Sequence, residues 1–232
     1  MRRNRVRTVG SRLSATAMAG TLTCLIGRNG SGKSTLLRTI ARLQPRLAGS
    51  ILIGTDDIQS MPREVFARRL SIVLTKRPDA ENLTVGELVA LGRAPYTGFW
   101  GRLSNTDRQA VDRALRLTGI AGMTSRHISS LSDGECQKAM IAKSLAQDTP
   151  VILLDEPSAF LDYPGKVELV RLLARLAHDE GKTILLSTHD LDTALATADR
   201  LWLMHDGLIE EGTTRELAAN GMLEKYLGVN TK

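Results

Sequence analysis

The feature that most constrains how this chain can fold is an eight-residue stretch at positions 27–34, with the sequence Gly-Arg-Asn-Gly-Ser-Gly-Lys-Ser. It fits the pattern G-x-x-x-x-G-K-[ST], which is typical of a phosphate-binding loop between a strand and a helix. Residues 22–26 form an apolar run that predicts a buried strand, and apolar residues after the stretch recur at helical spacing. The alternative is a glycine-rich turn before a core helix, and the strand–loop–helix context argues against it.

The residues of this stretch, which we call the phosphate loop, suit the chemistry of phosphate binding. Glycines let the backbone curl so that successive N–H groups point at phosphate oxygens, and the helix N-terminus adds a partial positive charge. We expect Lys33 to reach the β- and γ-phosphates of a nucleotide and the Ser34 hydroxyl to hold Mg²⁺. The other residues predicted to bind the nucleotide are Gly27, Asn29, Gly30, Ser31, Gly32 and Thr35.

A second stretch, at positions 151–156, has four apolar residues followed by Asp155 and Glu156. A central parallel strand presents carboxylates in this way at its C-terminal edge, although the pattern alone is a common strand end. We expect Asp155 to hold Mg²⁺ through water and Glu156 to polarise an attacking water.

Three further motifs accompany these two. Residues 131–137, which we call the signature segment, have the sequence Leu-Ser-Asp-Gly-Glu-Cys-Gln and precede a predicted helix. Residues 158–162 follow Pro157, and Ser-Thr-His-Asp at positions 187–190 ends another apolar run. The order and spacing of all five motifs, over nearly the whole chain, resemble those of the nucleotide-binding subunits of ABC transporters.

The resemblance implies a fold and a division of the chain. The implied fold is an α/β P-loop NTPase of the ABC ATPase type, with a mainly parallel RecA-like core, a small N-terminal antiparallel β part and a helical subdomain. We expect residues 1–232 to form a single domain. Within it, residues 1–81 and 151–232 would form the nucleotide-binding core, and the helical subdomain would span about residues 82–150.

The resemblance also implies a mechanism, in which ATP is hydrolysed with Mg²⁺ between the two subunits of a head-to-tail homodimer. The residues that would be catalytic are Lys33, Glu156 and His189. Those that would meet the ATP of the opposing subunit are Ser132, Gly134 and Glu135. We expect Asp162 to make a contact across the dimer rather than to be catalytic, and His189 could instead be a structural histidine at a strand end.

The implied partners are a polytopic membrane permease and, indirectly, a periplasmic or lipoprotein solute-binding protein, with the chain peripheral at the cytoplasmic face of the inner membrane. Residues 82–85 and 91–100 resemble the importer ATPases that serve iron-siderophore, haem and cobalamin uptake. Residues 91–100 include Tyr96, Phe99 and Trp100, which would form either a small hydrophobic cluster or a groove for a helix of the permease.

Several residues depart from the family pattern. Asp133 and the pair Glu135-Cys136 replace the usual glycine and glutamine of the signature segment, and Lys76 stands where the family has a glutamine that links the metal site to the membrane partner. The family also places an adenine-stacking aromatic upstream of the phosphate loop, but no aromatic precedes Phe66 here. We expect that the start codon was chosen too late and omits a first strand; stacking by an arginine is the alternative.

Composition and charge limit the other functions open to the chain. Its 42% apolar content is typical of a globular domain, and no run approaches the roughly 18 apolar residues of a membrane span. The net charge of +6 arises in the N-terminal quarter, before Asp56, where no interleaved aromatics support nucleic-acid binding. Arg2-Arg3 and residues 13–20 only faintly resemble an export peptide. The cysteines, Cys24 and Cys136, are expected to be reduced thiols.

Apolar patterning predicts the remaining elements. Besides the strand at 22–26, the predicted core strands are 51–54, 71–75, 151–154, 183–186 and 201–204. Two helices are predicted between residues 82 and 131, the second capped by Asn105 or Thr106, and a short terminal helix between residues 212 and 227. Two alternative functions stay open: a soluble ABC-type ATPase of DNA repair or translation, and a nucleotide-binding module with little turnover.

Overall fold

Eight strands lie in the part of the chain that the computed structural model describes, which is residues 10, 13–76, 78, 80, 82–98 and 100–227. They are β1 (Leu22–Gly27), β2 (Leu52–Ile53), β3 (Asp56–Asp57), β4 (Leu70–Val73), β5 (Val151–Asp155), β6 (Thr183–Thr188), β7 (Arg200–His205) and β8 (Leu208–Gly212). Six of them form one sheet in the order β4-β5-β6-β1-β7-β8, and β2 and β3 form a separate hairpin.

The main sheet is parallel except at one edge. β1 pairs in parallel with both β6 and β7, and β5 pairs in parallel with β4 and β6, whereas β8 runs antiparallel to β7. All six residues of β1 are buried, as expected for a central strand of a parallel sheet. The register aligns Asp155 with Ser187 and Ile26 with Thr188, so the strand ends that carry the sequence motifs meet at one edge of the sheet.

The helices pack around this sheet. They are α1 (Lys33–Ile40), α2 (Arg63–Ala67), α3 (Val85–Ala90), α4 (Asn105–Leu117), α5 (Asp133–Ala146), α6 (Tyr163–His178), α7 (Leu191–Thr197), α8 (Thr214–Ala219) and α9 (Met222–Leu227). Short 3-10 turns occupy Ile58–Ser60, Leu91–Arg93, Ala121–Met123 and Ile128–Ser130.

Alternating residues of β1 contribute to two hydrophobic cores. Leu22, Cys24 and Ile26 face one core, which contains buried residues of α3, α4, α5 and α6. Leu25 faces the other core, which contains Leu37 of α1 and buried residues of α2, β4 and β7. Burial raises the pKa of the Cys24 thiol to about 12, so this cysteine is an uncharged part of the packing.

An ion pair of low exposure joins the 3-10 turn after α3 to the helix α4, and the same arginine also bonds α5. Arg93 Nε donates to Asp107 Oδ1 at 2.8 Å, and Arg93 Nη1 donates to the carbonyl oxygen of Ala146 at 2.8 Å. Both charged side chains are 7% exposed. The adjacent backbone is equally close, because a Cβ built on Gly92 would lie 2.2 Å from the carbonyl oxygen of Lys143. Glycine is therefore needed where the end of α3 crosses α5.

The structure confirms the predicted α/β class with a mainly parallel sheet, but it corrects several details. Residues 51–54 were expected in the core, whereas only Leu52–Ile53 form a strand and it belongs to the β2–β3 hairpin. Neither Asn105 nor Thr106 caps α4; Ser104 does, because its hydroxyl accepts from the Asp107 N–H while the Asp107 carboxylate accepts from the Ser104 N–H. Strand β8 was not predicted, and two short helices replace the single terminal one.

Two further expectations concern the ends and the membrane. Residues 1–5, about two dozen positions before the phosphate loop, are where the family places its adenine-stacking aromatic; they and Phe99 lie outside the described residues. Within the part that is described, none of the helices combines the length and the apolar character needed to cross a bilayer.

Candidate active site at the carboxyl edge of the sheet

The phosphate loop leaves β1 at Gly27 and enters α1 at Lys33. Gly30 and Gly32 have φ angles of 80° and 108°, in the left-handed region that favours glycine. A Cβ built on Gly27 would lie 2.5 Å from Ser31 Oγ and 3.0 Å from the carbonyl oxygen of Met204, so the loop closes tightly over the end of the sheet. Gly32 precedes α1 and has no side chain to cap it, which leaves the first N–H groups of α1 suited to an anion.

Lys33 points into the space between the loop and β5. It is 5% exposed, its Nζ donates to the carbonyl oxygen of Gly27 at 2.8 Å, and it lies 3.3 Å from Glu156 Oε1. A buried ammonium needs such partners because its desolvation is costly. The sequence motif and the strand order thus bring two of the three predicted catalytic residues into contact.

Asp155 lies at the end of β5 with one carboxylate oxygen satisfied and the other open. Ser34 Oγ donates to its Oδ1 at 2.8 Å, and Ser187 Oγ donates to the same oxygen at 2.9 Å. Among the described residues Oδ2 has no hydrogen-bond partner, although it is buried. A buried carboxylate oxygen without a partner next to a serine hydroxyl offers the hard oxygen ligands that Mg²⁺ prefers, so the residues fit the predicted metal.

Glu156 follows β5 in a left-handed conformation, with φ 48°. Its N–H donates to Ser187 Oγ at 2.9 Å, and its Oε2 lies 2.6 Å from Nδ1 of His189, at the end of β6. The Glu156 side chain is 17% exposed and that of His189 is 52% exposed. Glu156 therefore bridges the buried Lys33 and the more accessible His189, which places the three predicted catalytic residues in one row.

The signature segment begins α5. Ser132 caps the helix: its N–H and hydroxyl donate to Glu135 Oε2 at 2.8 and 2.9 Å, and the Glu135 N–H donates back to Ser132 Oγ at 3.3 Å. Arg126 Nη1 donates to Glu135 Oε1 at 2.9 Å. The Ser132 N–H, then its hydroxyl and Arg126, hold the pKa of Glu135 below its usual value. Gly134 lies in the first turn of α5.

These signature residues are not joined to the row formed by Lys33, Glu156 and His189. Within the described chain, no hydrogen bond or ion pair links Ser132 or Glu135 to that row. The other predicted binding residues lie on the phosphate loop or the first turn of α1: Asn29 is exposed, Ser31 Oγ is buried without a partner among the described residues, and Thr35 is half-buried. Asp162 caps α6 by accepting from the Gly165 N–H at 3.0 Å.

Sequence reasoning missed three residues that organise the site. Ser187 links Asp155 to the backbone of Glu156. Thr75 Oγ1 donates to the carbonyl oxygen of Asp155 at 2.7 Å, which fixes the end of β4 to β5, and the exposed Lys76 follows directly. Arg126 supports Glu135. Of these three residues, only the role of Ser187 could have been predicted from the sequence. Its hydroxyl lies at the end of one parallel strand, and a carboxylate ends the neighbouring strand.

The chain is similar in sequence to ATP-binding proteins of ABC transporters. A sequence profile described as ABC transporter matches residues 11–159 of the chain. The petrobactin import ATP-binding protein FpuC of Bacillus anthracis is 39% identical over 212 residues, which are 91% of this chain and 78% of FpuC. The iron(3+)-hydroxamate import ATP-binding protein FhuC of Bacillus subtilis is 36% identical over 228 residues, which are 97% of this chain and 84% of FhuC.

Solved structures agree with the sequences. The fold matches that of a nucleotide-free ATP-binding cassette from an ABC transporter, with a TM-score of 0.82 at 23% identity over 95% of this chain and 92% of that one. The dimeric structure of MJ0796, a bacterial ABC transporter cassette, matches with a TM-score of 0.76 at 25% identity over 88% of this chain and 90% of that one. The profile and the relatives confirm the resemblance found in the motifs. The chain therefore belongs to the ABC transporter family.

Proposed function

We propose that this chain is the ATP-binding and hydrolysing subunit of a membrane importer, and that the imported solute is an iron-siderophore, haem or cobalamin-type chelate. The observation that carries the enzymatic part is the row of Lys33, Glu156 and His189 beside the open oxygen of Asp155. Similarity to the petrobactin and iron(3+)-hydroxamate import proteins supports the importer and the class of solute.

In this proposal the phosphate loop binds the triphosphate of ATP. Lys33 supplies the buried positive charge, and the first N–H groups of α1 donate to phosphate oxygens. The residues that form the rest of the cradle are Gly27, Asn29, Gly30, Ser31, Gly32, Ser34 and Thr35. The buried Ser31 hydroxyl, which has no partner among the described residues, gains an acceptor when phosphate is bound.

Ser34 and Asp155 would hold Mg²⁺, with the open Oδ2 of Asp155 facing the ion or its water. The ion, when bound, neutralises charge on the phosphate oxygens. Ser187 keeps the other oxygen of Asp155 fixed, so the carboxylate presents one defined face.

Glu156 is the proposed general base. Its carboxylate would accept a proton from the attacking water, while Lys33 stabilises the charge that develops on the transferred phosphoryl group. His189 holds Glu156 Oε2 at 2.6 Å, and it orients the carboxylate from the exposed side of the site. Because both oxygens of Glu156 have a partner, the base is positioned before the water arrives.

The active unit in this proposal is a head-to-tail homodimer, in which Ser132, Gly134 and Glu135 of one subunit meet the ATP of the other. The dimeric form of the similar cassette MJ0796 supports this arrangement. Residues 82–150 would act as the helical subdomain and the rest as the nucleotide-binding core. The chain would bind a polytopic permease from the cytoplasmic face of the membrane, near Tyr96 and the exposed Trp100, and a solute-binding protein would act indirectly; no nucleic acid is expected.

Affinity capture from detergent-solubilised native membranes tests the importer. The tagged full-length chain is isolated and its partners are identified by mass spectrometry. Recovery of a polytopic membrane protein at comparable stoichiometry is the expected result, and the solute-binding protein encoded with it would then reveal the solute. Recovery of soluble partners alone, such as ribosomes or DNA-repair factors, would replace the importer by a soluble ATPase and leave the chemistry of the site untouched.

A further inference from the structure

We propose that Arg126 is a positioning residue for the signature segment. It holds the Glu135 carboxylate, so that the Ser132 hydroxyl can turn to a phosphate oxygen of the ATP bound to the opposing subunit. The inference rests on the proposed function, because it assigns Arg126 a role in the ATP-bound homodimer and the proposed function requires that homodimer. Arg126 lies five residues before the signature segment and none of the sequence motifs includes it.

The Ser132 hydroxyl has a single hydrogen to donate. That hydroxyl donates to Glu135 Oε2 at 2.9 Å. A phosphate oxygen only accepts hydrogen bonds, so Ser132 can donate to the opposing ATP only after its hydrogen leaves Glu135. The hydroxyl can still accept from the Glu135 N–H, 3.3 Å away, because that bond uses a lone pair. The helix cap thus survives the switch of the hydrogen.

Arg126 makes this switch possible by keeping Glu135 satisfied. After the hydroxyl has turned, Oε2 still accepts from the Ser132 N–H at 2.8 Å, and Oε1 still accepts from Arg126 Nη1 at 2.9 Å. Without the guanidinium, the carboxylate would depend on Ser132 for both remaining bonds and would compete with the phosphate for the hydroxyl.

The guanidinium is tethered on both sides. Its Nη2 donates to the carbonyl oxygen of Ser130 at 2.7 Å, immediately before the signature segment. The backbone is fixed as well, since the Arg126 carbonyl oxygen accepts from the Val85 N–H at 2.9 Å, at the start of α3. The guanidinium nitrogens Nη1 and Nη2 therefore hold the Glu135 carboxylate in a defined position relative to the surrounding helices.

The charge of the signature segment is a second reason why Glu135 needs its ion pair with Arg126. Asp133 and Glu135 put two carboxylates in the first turn of α5, on the segment that has to approach an anionic triphosphate. Arg126 neutralises one of them directly. A glutamine at position 135 would need no such partner, so the demand for Arg126 is specific to the glutamate of this chain.

A double-mutant cycle on the full-length chain tests the inference. The parent is Glu156→Gln, which is expected to dimerise with Mg-ATP, and the dimer dissociation constant is measured by analytical ultracentrifugation. Arg126→Met should weaken the dimer roughly tenfold, because without the guanidinium the Glu135 carboxylate competes more strongly for the Ser132 hydroxyl when the dimer forms; a loss of about threefold at each of the two sites multiplies to about tenfold. In the presence of Glu135→Gln, the same Arg126→Met change should have little effect, and Arg126→Lys should restore part of the affinity.

Two controls separate positioning from folding. Arg116→Met removes an equal charge from the exposed last turn of α4 and should leave the dimer constant unchanged. The affinity of monomeric Arg126→Met for ATP should also match that of its parent. Equal weakening by Arg126→Met with glutamate or glutamine at position 135 would overturn the inference, as would no weakening at all. A parent that fails to dimerise with ATP would overturn the proposed function before Arg126 is changed, and the inference with it.

Discussion

Lys33 and Glu156 form an ion pair, with 3.3 Å between Nζ and Oε1. In the proposed function the Lys33 ammonium binds phosphate and the Glu156 carboxylate activates water. Before ATP binds, each of the two groups is neutralised by the other. An anionic triphosphate that approaches Lys33 must also approach the negative charge of Glu156. Neutralising the carboxylate therefore removes both a competitor for Lys33 and a repulsion.

We expect Glu156→Gln to bind Mg-ATP about fivefold more tightly than the unmodified monomer, which corresponds to roughly 1 kcal/mol. Calorimetric titration of the monomer at low protein concentration measures this. Lys33→Ala serves as the opposite case and should lose measurable affinity. Equal affinities for Glu156→Gln and the unmodified chain would show that the ion pair has no influence on nucleotide binding.

Ser187 is expected to matter more for turnover than for stability. Its hydroxyl donates to Asp155 and accepts from the Glu156 N–H. Ser187→Ala should therefore lower the rate of phosphate release roughly 10- to 100-fold, because the carboxylates of Asp155 and Glu156 would no longer be held in place. Ser144→Ala is the matched control, because that buried hydroxyl bonds Ser71 and lies in α5 outside the site. Both changes should cost about 1 kcal/mol of folding free energy. Equal turnover losses in the two variants would reject the positioning role of Ser187.

The ion pair of Arg93 and Asp107 is expected to contribute strongly to stability. Both side chains are 7% exposed, so Arg93→Met leaves a carboxylate without its cation among the helices α3, α4 and α5. We expect a loss of about 3 kcal/mol in the free energy of unfolding, measured by urea denaturation. Arg116→Met, on the exposed surface of α4, should change it by less than about 0.5 kcal/mol. Similar values for both variants would contradict this account.

Asp107 should also give the stability a defined dependence on pH. Hydrogen bonds from the Ser104 hydroxyl and N–H, with a further one from Arg93, lower the pKa of Asp107 from 3.8 to about 2. The unfolded chain therefore binds this proton more readily than the folded one, so the stabilisation is complete above pH 4 and is lost as the pH falls toward 2. Asp107→Asn should lack this component. Parallel stability profiles for the two proteins between about pH 4 and 2 would contradict the assignment.

A site residue could be predicted from the sequence when its chemical type and its position in a local sequence motif indicate the same role. Asp155, Glu156 and His189 each lie at the end of an apolar run, Lys33 lies in the loop motif that follows another such run, and the parallel sheet brings those ends together. Ser187 and Arg126 were missed because their roles depend on partners 31 and 9 residues away. The pairing of β5 with β6 decides the first role, and the packing of the turn before α5 decides the second.

The fold shows the same limit. Long buried strands such as β1 and β6 were predicted within two residues of their ends, because an apolar run fixes them. The residue that caps α4 was not predicted, because Ser104, Asn105 and Thr106 can all cap a helix. The choice depends on Asp107, which lies three residues after Ser104 and completes the capping box. Strand β8 has only one fully buried residue and exists because it pairs with β7 across a turn.

The most direct test of the central claim is phosphate release from Mg-ATP by the purified full-length chain and by its Glu156→Gln variant, with the oligomeric state followed by light scattering in the same samples. Steady turnover is expected of the unmodified chain. The variant should show no turnover, retain ATP and accumulate as a dimer. Turnover by Glu156→Gln at the rate of the unmodified chain would contradict the claim that Glu156, held between Lys33 and His189, is the base of an ATPase.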